Sequence, residues 1–225
     1  MSVTFPGFSP QALTFFEELA TNNRKEWFEA HRSDYEECLL EPLKSLVAAL
    51  TDTMLAIDDH LVTMPAVDKT ISRIYLDTRF SRDKSPYKCR MWLTFKRYRP
   101  DWKETPCFYF EINAEGYRYG MGFYCAAKDT MDRLRQYIEA HQERFREEVA
   151  WLAGQDRFIV AGESYKRPLN AALADDLQQW HMRKNLYLAC NRTPDSHLFS
   201  AQLLDELQSG YRQLEPLYRL LWQLR

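Results

Sequence analysis

Hydrophobic residues recur at helical spacing through residues 9–57, alternate with a period of two between 70 and 124, and return to mostly helical spacing over 128–224. That double change of period constrains the fold more than any other feature. Strands confined to the middle, with helices before and after, exclude a repeating βαβ series. They predict an α+β fold: a central, mainly antiparallel sheet of four to six strands packed by N-terminal and C-terminal helices. With 225 residues and 45% hydrophobic content, the chain is expected to form a single domain over 1–225 with ample core.

Local signals divide the ends. Ser9-Pro10 predicts a helix start, a hydroxyl cap followed by proline. Asn23 with Glu26, and Ser33 with Glu36, have capping-box spacing. Leu39, Leu40, Leu43, Leu46, Val47, Leu50 and Met54 form the stripe of a long helix, which Pro42 either kinks or restarts. In the middle, strands are expected over Ile71–Thr78, Cys89–Arg97, Cys107–Asn113 and Tyr117–Tyr124, with Ala-Glu-Gly as a three-residue hairpin connection. Gly120 and Gly122 share a face and mark a bulge or a close approach to the backbone. Beyond them come a helix over 129–152 with His141 on its apolar stripe, a short strand Phe158–Ala161, a helix Asn170–His181 and a strand Leu186–Cys190. Two last helices are expected, Ser196–Ser209 and Tyr211–Leu224, separated by Gly210.

Charge is uneven. Residues 73–104 hold ten Lys or Arg against four Asp or Glu, a balance of +6 on a chain whose formal net charge is -2. Such a local excess can attract an anion without making the whole chain a nucleic-acid binder, and the pI of about 6.2 argues against nucleic acid as a partner. The five cysteines are odd in number and show neither C-x-x-C nor zinc-site spacing, so a reducing cytoplasmic location is expected, with no metal. No dinucleotide, Walker or hydrolase motif occurs, and no cofactor is expected. The N-terminus lacks a signal-peptide pattern, and no apolar run is long enough to span a membrane.

Most of the unusual chemistry lies in Arg73-Ile-Tyr-Leu-Asp-Thr-Arg-Phe-Ser-Arg-Asp-Lys-Ser-Pro-Tyr-Lys88. On an extended strand Arg73, Tyr75, Asp77 and Arg79 share one face, with Asp77 between two guanidinium forks suited to phosphate or carboxylate. Asp83, Lys84, Tyr87 and Lys88 follow on a loop stiffened by Pro86. Glu111, alternating with Tyr109 and Asn113, could face the same patch and pair with an arginine or act as acid or base. Tyr165-Lys-Arg-Pro and Arg183-Lys184-Asn185 are further polar segments that could converge on it. Two readings remain open: a site for a small anionic ligand, or an internal ion-pair network that fixes the fold. Contact with nucleic acid through Trp92, Tyr98 and Trp102 is a third, weaker one. The catalytic residues, if any, and the oligomeric state are not set by these patterns.

The segment 73–88 resembles the signature R-I-x-R-D-x-R-F-S-x-D-K-[ST]-P-Y-K of an uncharacterised family of bacterial and fungal proteins bearing a domain-of-unknown-function label. Phe5-Pro-Gly-Phe8 and Asn22-Asn-Arg-Lys-Glu-Trp-Phe28 are similar to other segments of that family, as are the later Gly-Met-Gly and Tyr-Lys-Arg-Pro. Leu76 stands where the pattern has arginine, which removes one cation from the opposite face of the segment. The resemblance implies a shared fold and a shared patch, and carries no reaction.

Overall fold

The computed structural model describes residues 5–79 and 84–225. It is an α+β fold around a five-stranded sheet, β1 Arg90–Phe95, β2 Pro106–Asn113, β3 Gly116–Phe123, β4 Ile159–Ala161 and β5 Tyr187–Arg192. The spatial order is β1-β2-β3-β5-β4, and every pairing is antiparallel. The β2–β3 hairpin is tighter than expected. Asn113 pairs with Gly116, leaving a two-residue turn, and Asn113 Oδ1 accepts the backbone N–H groups of Glu115 and Gly116.

Strand alternation gives the sheet two unlike faces. Met91, Leu93 and Phe95, with Phe108, Phe110 and Ile112, point into the core. There they meet α4 Glu41–Ile57 and α8 Gln202–Gln223, whose buried residues recur every three or four positions: Leu43, Leu46, Val47, Leu50 and Leu203, Leu207, Leu214, Leu221. Phe5 and Phe8, from the Phe-Pro-Gly-Phe segment, are buried in the same core, Phe8 stacking on Phe110 at 5.8 Å.

The N-terminal helices are α1 Gln11–Thr21, α2 Lys25–Ala30 and α3 Arg32–Tyr35. None is closed by a side-chain cap, so Ser9, Asn23 and Ser33 do not have the capping roles expected of them. From Arg32 the chain stays helical to Ile57, passing through a π turn at Glu36–Leu40. Pro42 lies in the first turn of α4, as expected of a proline that starts a helix, without interrupting the helical path. It follows the wide turn, where Glu41 N–H reaches back to Glu36 O and the helix can shed the bond that proline cannot donate.

Four further expectations are corrected. Ile71–Thr78 is no continuous strand. Thr70 and Ser72 bond to the edge of β1, while Ile74 and Leu76 bond to Lys88 and Pro86, so the chain changes partner partway. Its buried residues, Ile71 and Ile74, are three apart instead of two. The helix expected over 129–152 is α5 Lys128–Ala140 and α6 Gln142–Val149, broken at His141, which is exposed. The helix expected over Asn170–His181 is shorter, α7 Asp175–His181.

Gly210 does not punctuate the C-terminal helices. Residues 202–223 form one helix that passes through Gly210 and Pro216. Gly210 lies against the Tyr119 ring, where an added Cβ would be 2.7 Å from Cε2. That ring cannot yield easily, because its hydroxyl donates to Glu206 Oε1 at 3.0 Å and accepts from Arg157 Nε at 2.7 Å. Gly210→Ala is accordingly expected to destabilise the protein by about 1–3 kcal/mol, the overpacking outweighing alanine's helix preference of about 1 kcal/mol. A urea melt with a lowered midpoint and unchanged slope checks this. A stabilised variant would mean that the ring moves aside.

Candidate functional site

The second face of the sheet carries Trp92 and Thr94 from β1, Cys107, Tyr109 and Glu111 from β2, Arg118 and Gly122 from β3, and Tyr187 from β5. These residues line a pocket of about 250 Å³ together with Trp102, Tyr124 and Asn185. Trp102 belongs to the loop after β1, and this loop returns to the sheet where Cys125 N–H bonds Lys103 O at 2.8 Å. Gly120, between Arg118 and Gly122, permits the crowding at mid-sheet, since a Cβ there would lie 1.8 Å from Leu188 O and 3.0 Å from the Tyr109 hydroxyl.

A wider cleft of about 590 Å³ adjoins the pocket and shares Trp92, Thr94, Trp102 and Tyr124 with it. Its other wall is the 68–79 segment. Ser72 N–H bonds Trp92 O at 2.9 Å, and Ser72 Oγ accepts Trp92 N–H at 3.1 Å, so the segment is fastened to β1. Six cations, Lys69, Arg73, Arg79, Lys88, Lys96 and Lys103, face two carboxylates here, Asp68 and Asp77.

The charges differ in how they are held. Arg73 Nε lies 2.5 Å from Asp68 Oδ1. Arg79 grips Asp77 with two bonds of 2.9 and 2.7 Å, and this holds the Asp77 carboxyl down at about 2. Among the described residues Asp77 thus pairs with Arg79, while Arg73 pairs with Asp68 instead of flanking it. Lys88 Nζ donates to the carbonyls of Arg73 and Tyr75, at 2.6 and 2.7 Å. It also lies 4.9 Å from the Trp92 ring. Lys96 Nζ sits 3.7 Å above Trp102. Burial lowers the pKa of both lysines, with Arg90 and Arg73 adding to the effect at Lys88. Among the described residues neither these two nor Lys103 has a carboxylate within ion-pair distance.

Not every expected site residue reaches these cavities. Arg73, Tyr75, Asp77, Arg79 and Lys88 line the cleft. Glu111 lines the neighbouring pocket, where it pairs with Arg118 at 3.0 Å and lies 4.0 Å from Arg90. Lys84 is tied to Thr78 O at 2.9 Å. Tyr87 is buried against Phe28, their rings stacked 4.2 Å apart. Asp83 lies outside the described residues. Of the later polar segments, Asn185 reaches the pocket, while Arg183 bonds Gly162 O and Val160 O, and Lys184 pairs with Glu163. Lys96, Lys103 and Tyr124 are not singled out as site residues by the sequence, and Trp102 enters there only as a candidate nucleic-acid contact. Arg90, Trp92, Thr94 and Lys96 alternate along the chain, which puts four lining side chains on one face, but the sequence does not show which face stays open.

The thiol in the pocket is no ready nucleophile, because burial pushes Cys107 up to about 12. Elsewhere, Asp58, Asp59 and His60 bring ligand atoms within 4.8 Å of one another. Asp58, however, is already occupied by Arg97, the Tyr218 hydroxyl and His60 N–H. Asp58 is thus the carboxylate of an internal ion pair, while Asp59 and His60 are exposed.

Residues 11–220 match the family described as "Conserved hypothetical protein (DUF2461)", and the chain belongs to that family. No curated protein matches the chain. Among the described residues no helix is long and apolar enough to cross a membrane.

Proposed function

We propose that this is a cytosolic protein that binds, or acts on, a small anionic ligand carrying phosphate or carboxylate, held in the cleft between the 68–79 segment and β1. The observation that supports it is the gathering of Lys88, Lys96 and Lys103 around one opening with no carboxylate partners among the described residues. Lys88 and Lys96 are half-buried, and ammonium groups so placed without counter-charge are costly; an entering anion relieves that cost, and the exposed Lys103 adds a third cation. The grip differs from the one expected from sequence. Arg79 is engaged with Asp77 and Lys84 does not line the cleft, whereas Lys88, Lys96 and Lys103 do, so the lysines nearer the sheet are the binding groups.

The test is thermal stabilisation by inorganic phosphate and pyrophosphate at low ionic strength. Both should raise the melting temperature, and the rise should shrink with added salt. Lys96→Met should weaken the response on the order of tenfold while the protein stays folded. Equal stabilisation of the Lys96→Met and Lys88→Met variants would overturn the reading. In that case the 73–104 charges serve the fold alone.

A further inference from the structure

We infer that the ligand has two parts, a flat aromatic or heteroaromatic ring seated in the pocket on the sheet and an anionic group extending into the lysine cleft. This rests on the anion reading and specifies it. The two cavities are continuous through four shared residues, and three of these, Trp92, Trp102 and Tyr124, are aromatic. Tyr109 and Tyr187 add two more rings to the inner pocket. The floor is the sheet itself at Thr94, Cys107 and Gly122, with Gly122 offering bare backbone to a ring. The Trp102 and Tyr124 rings stand 5.7 Å apart, tilted by 50° to each other.

The polar groups divide along the same line. Six cations gather on the cleft side, with Lys96 over Trp102 and Lys88 beside Trp92 marking the junction. The two cations of the pocket, Arg90 and Arg118, both face Glu111. On the pocket side Glu111 answers Arg118 across the β2–β3 pair. A ligand that was only an anion would leave a ring-lined cavity unused, and apolar surface there would stay wet. A ring alone would leave the ammonium groups uncompensated. Together the two volumes, about 250 and 590 Å³, fall in the range of small-molecule sites, roughly 300–1,000 Å³. Aromatic faces stack on any π system, so the geometry selects a ring without dictating which one.

The experiment compares a ring-bearing phosphate with its halves. Adenosine 5′-monophosphate and uridine 5′-monophosphate are titrated against the full chain beside ribose 5-phosphate, adenosine and inorganic phosphate, with tryptophan fluorescence and calorimetry as readouts. The nucleotides should bind about tenfold or more tightly than ribose 5-phosphate. They should also quench emission that ribose 5-phosphate leaves unchanged. Trp102→Leu should remove that advantage and leave ribose 5-phosphate binding intact, whereas Lys96→Met should weaken both. If Trp102→Leu does not fold, Tyr187→Leu carries the same expectation from the opposite wall. Equal affinity for nucleotides and ribose 5-phosphate overturns the ring while the anion reading survives. Failure of every phosphate to bind overturns both. Much tighter binding of a single-stranded oligonucleotide, with steep salt dependence, would replace a small ligand by a nucleic-acid strand.

Discussion

Asp58→Ala should lower the stability of the protein by about 3 kcal/mol, or about 6–12 °C in melting temperature for a chain of this size. Asp58 is 8% exposed. One of its oxygens receives Arg97 Nε at 2.7 Å and the Tyr218 hydroxyl at 2.5 Å, and the other accepts His60 N–H at 3.0 Å. Removing the carboxylate leaves a guanidinium and a phenol at the junction of α4, β1 and α8 with no acceptor. Arg97 is about a third exposed, so water recovers part of its loss, which places the expected value at the low end for a broken buried pair. Tyr218→Phe, which deletes only one donor, should cost about 1 kcal/mol.

The same centre sets a pH dependence. Burial alone would raise the Asp58 pKa, but Tyr218, Arg97 and His60 N–H together bring it below its ordinary 3.8. A carboxyl depressed in the folded state contributes stability that is fully present above 3.8 and is lost as pH falls through the lower folded value. The gap between parent and Asp58→Ala melting temperatures should therefore be widest near neutrality and close below pH 3.8. A gap of constant size down to strong acid would show that the variant's loss is one of packing.

Asn23→Ala is expected to cost about 2–4 kcal/mol, since it strands two backbone groups at once. The Asn23 side chain acts as a short piece of strand: its Nδ2 donates to Tyr87 O at 2.8 Å, and its Oδ1 accepts Tyr87 N–H at 3.1 Å. Asn23→Asp retains the acceptor and loses the donor, so it should fall about midway. Because the clamp holds Tyr87 beside Lys88, both variants should also blunt stabilisation by phosphate. Denaturant melts with and without phosphate separate these effects. If Asn23→Ala melts like the parent, the amide does not hold the segment.

These two residues show where the sequence was legible. Strands β1, β2 and β3 followed from alternation, because one buried and one open face impose a period of two on a strand that stays with one partner, and β5 followed from the short apolar run at Leu186–Cys190. Residues 71–78 stay with two partners in turn, and their mixed composition offered no sign of the exchange. Asn23 had capping-box spacing with Glu26, and nothing local reveals that its amide is used 64 residues away. Gly210 looked like a helix end for a similar reason, since only the Tyr119 ring behind it explains why a side chain is absent. Half of the candidate site was visible, as Arg73, Tyr75, Asp77, Arg79, Lys88 and Glu111 line the two cavities. The rest depends on the loop at Trp102–Lys103 folding back over the sheet, a long-range placement that composition does not encode.

The fastening of residues 70–72 along β1 has a bearing on solubility. Thr94 N–H is taken by Thr70 O at 2.8 Å and Trp92 N–H by Ser72 Oγ, so that border of the sheet offers these donors to no other chain. Were the segment to swing away to admit a guest, it would bare a ribbon flanked by Trp92 and Leu93, the sort of border on which proteins polymerise.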